Sequence, residues 1–321
     1  MDQLLRAFQT KDQAQFYLAQ AAAAAEPPAG GKQRTKGKAR RDAARDAAEE
    51  FDDIQHADRA YREAVKRLRA AIPPEGKVQL IDWSFLPTFL FGERDLVIAL
   101  GQDGLVINIA KYLRDQPIVG VNPDPARYDG VLLPFTVEDA ARGLRRLLDG
   151  NFDVSPITIA RATLDDGQEL HGVNDIFIGP RSHISFRCGI RFDGIEENQS
   201  SSGVIVSTGC GSTGWFRSII EGSRRIASSF DGLDTGSEPS RFAWDADYLY
   251  FSVREPFESR TSGASIAFGK ITEESPLVIT SHMAQNGVIF SDGIESDYLE
   301  FNSGRTATVT LADRKARLVQ H

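Results

Sequence analysis

The sequence predicts two domains, an α/β domain with an open, mostly parallel sheet followed by one built of β-sheets. Three observations predict this. Up to about residue 150, apolar strand-like runs alternate with segments of helical period. After Asn151 the segments are short, β-rich and punctuated by Gly, Asp and Asn. The chain has 321 residues, 41% of them hydrophobic and 26% charged, which suits two packed cores better than disorder.

Residues 1–55 form an Ala-rich, charged extension. Pro27, Pro28, Gly30 and Gly31 break any helix there. Lys32 to Arg45 carries seven basic residues, read as a solvated loop or as a lid reaching a polyanion such as a triphosphate. From His56 the period is helical, with Tyr61, Val65, Leu68 and Ile72 on one face and a stop at Pro73-Pro74. "KVQLIDW" reads as a strand. Leu96 to Leu100 reads as another, buried on both faces because it does not alternate. "GQDG" follows as a loop, then "NIAKYLRD" as a short helix, and "PIVGVN" as a third strand. "TVEDAARGLRRLLDGNF" is a helix with Thr136 and Asp139 placed as a capping box and Gly150 past its end. Beyond it come "ITIARATLDDGQEL", "DIFIGPRSHISFRCGIRFDG", "GVIVSTGCG", "YLYFSVREP", "PLVITSHM", "GVIFSDG" and "ATVTLA". One helix interrupts them, from Ser212 to about Ser228.

A formal net charge of −8 argues against general nucleic-acid binding. Two cysteines, Cys188 and Cys210, make no disulfide framework and point to a reducing cytoplasm. No apolar run approaches the length of a membrane span, and the N-terminus lacks the order of a signal peptide.

Ligands of open α/β sheets bind at the carboxyl ends of the strands, where "GQDG" falls. Gly101 and Gly104 there permit a tight turn and the approach of a phosphate to backbone N–H groups. Asp103 can orient or deprotonate a hydroxyl or help hold a metal ion, and it can also be a plain turn residue. "HGVNDIFIGP" sets Asn174-Asp175 beside a strand. "SSGVIVSTGCGSTGW" ends a strand in a Gly/Ser/Thr loop that opens a helix, with Trp215 as a stacking face or as core.

These stretches, in this order and spacing, resemble the NAD kinase family, and its mitochondrial-type branch with bacterial relatives most. "GVNPDPARYDG", "NDIFIG", the Ser-Ser-Gly before the loop, the Trp after it and "FSVREP" carry that likeness, which runs from about Ala57 to the C-terminus. The resemblance implies an N-terminal α/β domain over 56–150, completed by about 305–321, and a C-terminal β-sandwich over 151–304. It implies transfer of the γ-phosphate of ATP, or of polyphosphate, to the 2′-hydroxyl of the adenosine ribose of NAD, with Mg²⁺ accompanying ATP, in a homodimer. Residue by residue, Asp103 matches the acid proposed as base, and Gly101 and Gly104 match glycines close to phosphate. Asn174 and Asp175 match the pair that binds the adenosine part, and Thr213, Gly214 and Trp215 the adenine loop. Ser202 stands where many members have Asp. No residue is assigned as a metal ligand. Arg254 pairs either with a phosphate or with an acid such as Glu255, and Cys210 reads as a small buried filler.

Two departures stand out. Gln102 replaces the second Gly of a Gly-Gly-Asp-Gly-Thr motif and Leu105 replaces its Thr. Should position 102 need a positive φ, Gln strains it by about 1–2 kcal/mol. The missing hydroxyl removes a hydrogen bond worth roughly 1 kcal/mol. Two other readings compete with an active kinase: a non-catalytic relative that binds NAD(P) or another adenine nucleotide as a sensor, and a lipid or sphingoid kinase.

Overall fold

The computed structural model describes residues 53–74, 76–231 and 240–321. The basic stretch Lys32 to Arg45, and with it the extension as far as residue 52, lies outside the described residues.

The first described element, α1, is helical over 53–71 and stops ahead of Pro73, which offers no N–H to continue it. Its buried stripe runs through Ala64 and Leu68, 3% and 7% exposed, rather than through Tyr61, which is 42% exposed. The face is thus turned from the one the sequence period suggests. "KVQLIDW" is not a strand. Residues 77–82 are irregular, with Val78 and Leu80 exposed. Asp82 instead caps a 3₁₀ helix, Trp83–Thr88, by accepting from the Ser84 N–H at 3.0 Å and from its hydroxyl at 2.6 Å. A side chain used this way competes with a sheet ladder.

Strand β1, Val97–Leu100, runs parallel to β2, Pro117–Asn122, which is parallel in turn to β3, Phe135–Thr136. Both faces of β1 are covered, as its apolar run requires. Val97 and Ala99 pack in a cluster with helix α2, Asp103–Ala110, and Ile98 and Leu100 in one with α1 and α3, Val137–Leu148. Helix α3 has the expected ends. Thr136 Oγ1 accepts from the Asp139 N–H at 3.2 Å and donates to its carboxylate at 2.6 Å. Gly150 takes φ +73°, and the N–H groups of Gly150 and Asn151 close on Leu147 and Arg146.

The β-rich half supplies β4 (Val154–Leu164), β5 (Glu169–Gly172), β6 (Asp175–Pro180), β7 (Phe186–Phe192), β8 (Ile195–Ser201), β9 (Val204–Ser207), β10 (Leu249–Val253), β11 (Phe268–Ile271), β12 (Leu277–Ser281), β13 (Gly287–Ser291), β14 (Tyr298–Glu300) and β15 (Thr306–Val319). Six of these form an antiparallel sheet in the order β11-β10-β9-β6-β13-β14. The others join the parallel strands in a nine-stranded mixed sheet, β1-β2-β15-β12-β7-β8, with β3 on β2 and β4 and β5 branching from β15. The inner faces of the two sheets share one core, with Ile176, Ile178, Val204, Val206 and Phe251 meeting Phe186, Ile190, Ile279 and Val309.

Strand β15 makes the mixed sheet continuous. Its first half pairs antiparallel with β12, and its end pairs parallel with β2 at Arg317 and Leu318. It lies antiparallel to β4 along most of its length, interrupted by a bulge between Leu311 and Lys315. The bulge re-aims Arg314, which donates to the carbonyls of Lys111 and Leu113 at 3.0 and 2.8 Å. The interrupting helix, α4, covers Trp215–Asp231, three residues later than the sequence suggests, because Gly211–Thr213 form a 3₁₀ turn first.

Candidate active site

The site is built where β1, β9 and β13 end and β6 begins. "GQDG" is not a free loop followed by a later helix, because α2 begins at Asp103 itself. Gln102 is its N-cap residue at φ −101°, ψ 166°, an ordinary extended conformation, so the strain expected for a positive φ does not arise. Neither Gly101 nor Gly104 has a positive φ, so neither is needed for a tight turn. A Cβ on Gly104 would meet nothing within 4 Å, and that open space leaves the first turn of α2 approachable. Gly101 donates its N–H to Val121 at 3.2 Å, tying the end of β1 to β2. Leu105 packs, half-buried, on the α2 side of the core, which is the work its apolar side chain does in place of a hydroxyl.

Asp103 lies in the first turn of α2, where the helix dipole favours an anion. Its Oδ1 accepts the Leu132 N–H at 2.7 Å, which fixes the carboxylate over the segment following β2. Gly120 lets that segment come close, since a Cβ there would sit 2.0 Å from the Leu132 oxygen.

Asp175 opens β6 and is 9% exposed. Its carboxyl is raised to about 7, first by burial and then by the neighbouring Asp292. The role of Asp292 is not evident from the sequence alone, although "FSDG" repeats the strand-then-Asp-Gly pattern of "GQDG". Asp292 adopts φ +55°, and its carboxylate gathers three successive N–H groups: Val173 at 3.0 Å, Asn174 at 2.7 Å and Asp175 at 3.3 Å. Burial lifts it to about 6 against the opposing pull of these bonds and of Lys111. This clamp sets the Asn174-Asp175 corner.

The "TGCG" loop packs on the same corner. The Thr208 N–H donates to the Asn174 carbonyl at 3.0 Å, and its hydroxyl donates to the Val173 carbonyl. A Cβ on Gly211 would lie 2.0 Å from the Asn174 oxygen, and one on Gly209 1.8 Å from the Ala243 oxygen, so only glycine permits the fit. Cys210, buried between them, is pushed up to about 12 by burial, then by Asp292 and Asp103. It is the small filler the sequence suggests. The same influences put Asp103, Asp292 and the loop in one electrostatic neighbourhood.

Ser202, Trp215 and Arg254 meet elsewhere, along the outer face of the six-stranded sheet. With Phe177, Arg181 and Phe290 they line a cavity of about 590 Å³. Trp215 stacks on Phe177 with centroids 5.8 Å apart, and the Arg254 guanidinium lies 5.4 Å from the Trp215 ring. Arg254 also faces Glu255 at 3.7 Å, a loose and exposed pair. Thr213 and Gly214 sit exposed at the lip of the loop. The expected residues therefore form two groups, an acidic corner (Asp103, Asn174, Asp175) and a cationic aromatic pocket (Ser202, Trp215). Strand β6 joins them, with Asp175 at its start and Phe177 and Pro180 further along, a span of about 16 Å at about 3.3 Å per residue.

An α/β layer with an acid in the first turn after β1 is continuous with a β-sandwich that carries an aromatic, cationic pocket, and together they make a two-domain fold. No family model matches the sequence. The chain is 27% identical over 124 residues to an NAD kinase from Chlorobaculum tepidum, a match covering 38% of this chain and 43% of that protein. It is 23% identical over 303 aligned positions to the mitochondrial NAD kinase 2 of Xenopus tropicalis, covering 69% of this chain and 70% of the relative. The crystal structure of an NAD kinase from Archaeoglobus fulgidus in complex with ATP superposes with a TM-score of 0.53 at 19% identity, over 83% of this chain and 89% of that one. The chain is thus similar in sequence to NAD kinases and shares the two-domain fold of the NAD kinase structure. It spans less than half the length of the Chlorobaculum relative and about two thirds of the mitochondrial one.

Proposed function

We propose that this protein is an NAD kinase that phosphorylates the 2′-hydroxyl of the adenosine ribose of NAD. The observation that carries the reading is the pairing of Asp103, held by the Leu132 N–H, with the clamped Asn174-Asp175 corner across the Cys210 loop. A ribose hydroxyl between them attacks the γ-phosphorus of ATP. A new O–P bond forms, the bond to the β-phosphate oxygen breaks, and the hydroxyl proton passes to Asp103. Asn174 and Asp175 take the adenosine part, with Asp175 in its protonated form able to donate a hydrogen bond. Thr213, Gly214 and Trp215 flank the adenine, Gly101 and Gly104 leave room for phosphates at the α2 N-terminus, and Ser202 and Arg254 serve the rest of the dinucleotide along β6.

Mg²⁺ would come with the phosphates of ATP and supply charge neutralisation, which suits a metal that is often held through substrate oxygens. Among the described residues no group of three or more His, Cys, Asp or Glu side chains could hold a metal by itself. Polyphosphate is a second donor to test. We divide the chain into an α/β domain over 56–150, completed by 305–321, and a sandwich over 151–304. We also infer a homodimer in a reducing cytoplasm, the latter supported by the two buried free cysteines. Among the described residues no helix is long and apolar enough to cross a membrane.

The sensor reading has less support now that Gln102 has ordinary dihedral angles and Leu105 a packing role. A coupled assay for NADP formation with ATP and Mg²⁺ tests the proposal. Turnover is expected, and Asp103→Asn should lower kcat at least about a hundredfold, the usual scale of general-base loss. NAD-induced thermal stabilisation without turnover would favour the sensor, and full activity in Asp103→Asn would remove the base from Asp103.

A further inference from the structure

We infer that Asn122 is a positioning residue for Asp103: its buried carboxamide closes the loop after β2 so that the Leu132 N–H meets the base. The inference rests on the role proposed above for Asp103, and its structural half can be tested without substrate.

The loop between β2 and β3 carries most of "GVNPDPARYDG" and then Leu132, whose N–H holds Asp103 at 2.7 Å. Strands β1 and β2 are parallel neighbours, with Leu100 opposite Val121. Asn122 therefore stands one residue past the paired end of β1, beside the turn from which α2 and Asp103 start.

Asn122 is 4% exposed, and both ends of its carboxamide are used. Oδ1 accepts the Asp124 N–H at 3.0 Å, a local turn that asparagine and aspartate make readily. Nδ2 donates to the Tyr128 carbonyl at 2.9 Å. This second bond needs a donor, which an ionised aspartate lacks. Between the two anchors, the N–H groups of Arg127 and Tyr128 both close on the Asp124 carbonyl at 3.1 Å. The carboxamide is thus a strut across residues 124–128. The far side of the loop is tied to α1, since Arg127 pairs with Asp53 and the Asp124 carboxylate lies 3.6 Å from His56. Each of these ties has an exposed partner, and exposed pairs hold weakly, so the buried strut is the main fixture.

The strut directs the chain that follows. Gly130 takes φ +63°, and a Cβ on it would lie 2.7 Å from Asn122 Nδ2, so the backbone turns directly against the carboxamide. The Leu133 N–H then closes on the Gly130 carbonyl at 3.0 Å. Leu132 lies inside this turn, its oxygen over Gly120 and its N–H on Asp103 Oδ1. That bond stops the carboxylate from rotating. The other oxygen, Oδ2, has no partner among the described residues and is left to meet a hydroxyl.

The test measures NADP formation and amide hydrogen exchange at Leu132 in the wild type, Asn122→Ala, Asp103→Asn and the double variant. In Asn122→Ala, exchange at Leu132 should quicken at least about tenfold. Its kcat should fall about ten- to a hundredfold, the scale of a misplaced reacting group, with KM for NAD within about twofold. In the Asp103→Asn background the same substitution should change the residual kcat by less than about twofold, because the group it positions is already gone. A full further loss in that background would show that Asn122 acts on the fold at large and would overturn the inference. Wild-type exchange at Leu132 in Asn122→Ala would overturn it as well. If Asn122→Ala does not fold, the isosteric Asn122→Asp decides, since it keeps the acceptor for Asp124 and loses the donor to Tyr128: faster exchange and lower kcat support the strut, and wild-type values refute it. A wild-type protein without turnover counts against the proposed function, while exchange at Leu132 still judges the strut.

Discussion

Replacing Asp175 by Asn separates the cost of this site to the fold from its use. The Asp175 carboxyl titrates at about 7 rather than 3.8, because burial and then Asp292 oppose its charge. A carboxyl with a raised folded-state value gives the native state its full benefit at low pH and loses it as pH rises. Below about pH 4 both states are protonated. Between 4 and 7 the unfolded chain has released the proton and the native one retains it, so stability declines with pH. At about 1.4 kcal/mol per pH unit, the burden reaches up to about 4 kcal/mol by pH 8. Asparagine keeps the shape of the side chain and has no charge to bury. Asp175→Asn should therefore stabilise the protein, and the gain should grow by about 2–3 kcal/mol from pH 5 to pH 8. Urea unfolding at the two pH values measures it. NAD affinity should fall in the same variant, since a site that burdens the fold is retained for what it binds. An equal gain at both pH values would refute the electrostatic account of this corner.

Two further outcomes follow from the packing. Gly211→Ala drives a methyl group into the Asn174 carbonyl at 2.0 Å, backbone against backbone, and should cost about 3 kcal/mol or more in a thermal melt; a variant as stable as the wild type would show that the "TGCG" loop can move away. Gln102→Gly should leave kcat within about twofold and lower stability by about 0.5–1 kcal/mol, because the native φ of −101° needs no glycine; a large rise in kcat would mean that the Gln side chain obstructs the phosphate path.

The alternation of apolar runs and helical periods foretold the parallel layer, and the short strands after Asn151 foretold the sheets that follow. Both are local patterns, written in the spacing of apolar residues along the chain. The α3 caps at Thr136 and Gly150 were equally legible, because capping is chemistry between near neighbours in the chain. "KVQLIDW" misled because β-propensity says nothing of whether a sheet partner is present, and Asp82 had a local cap to make. The sequence by itself determined the order of elements, the acid after β1 and the glycine-rich turn before α4. Only tertiary structure decided that Asp292, 189 residues beyond Asp103, gathers the N–H groups of Asn174 and Asp175. It alone decided that Lys111 is buried, and that Trp215 packs on Phe177 rather than joining the acidic corner. The physical reason is that burial, and with it the charge state of an acid or a lysine, is set by every segment that closes over it, and in this fold those segments are far apart in the chain.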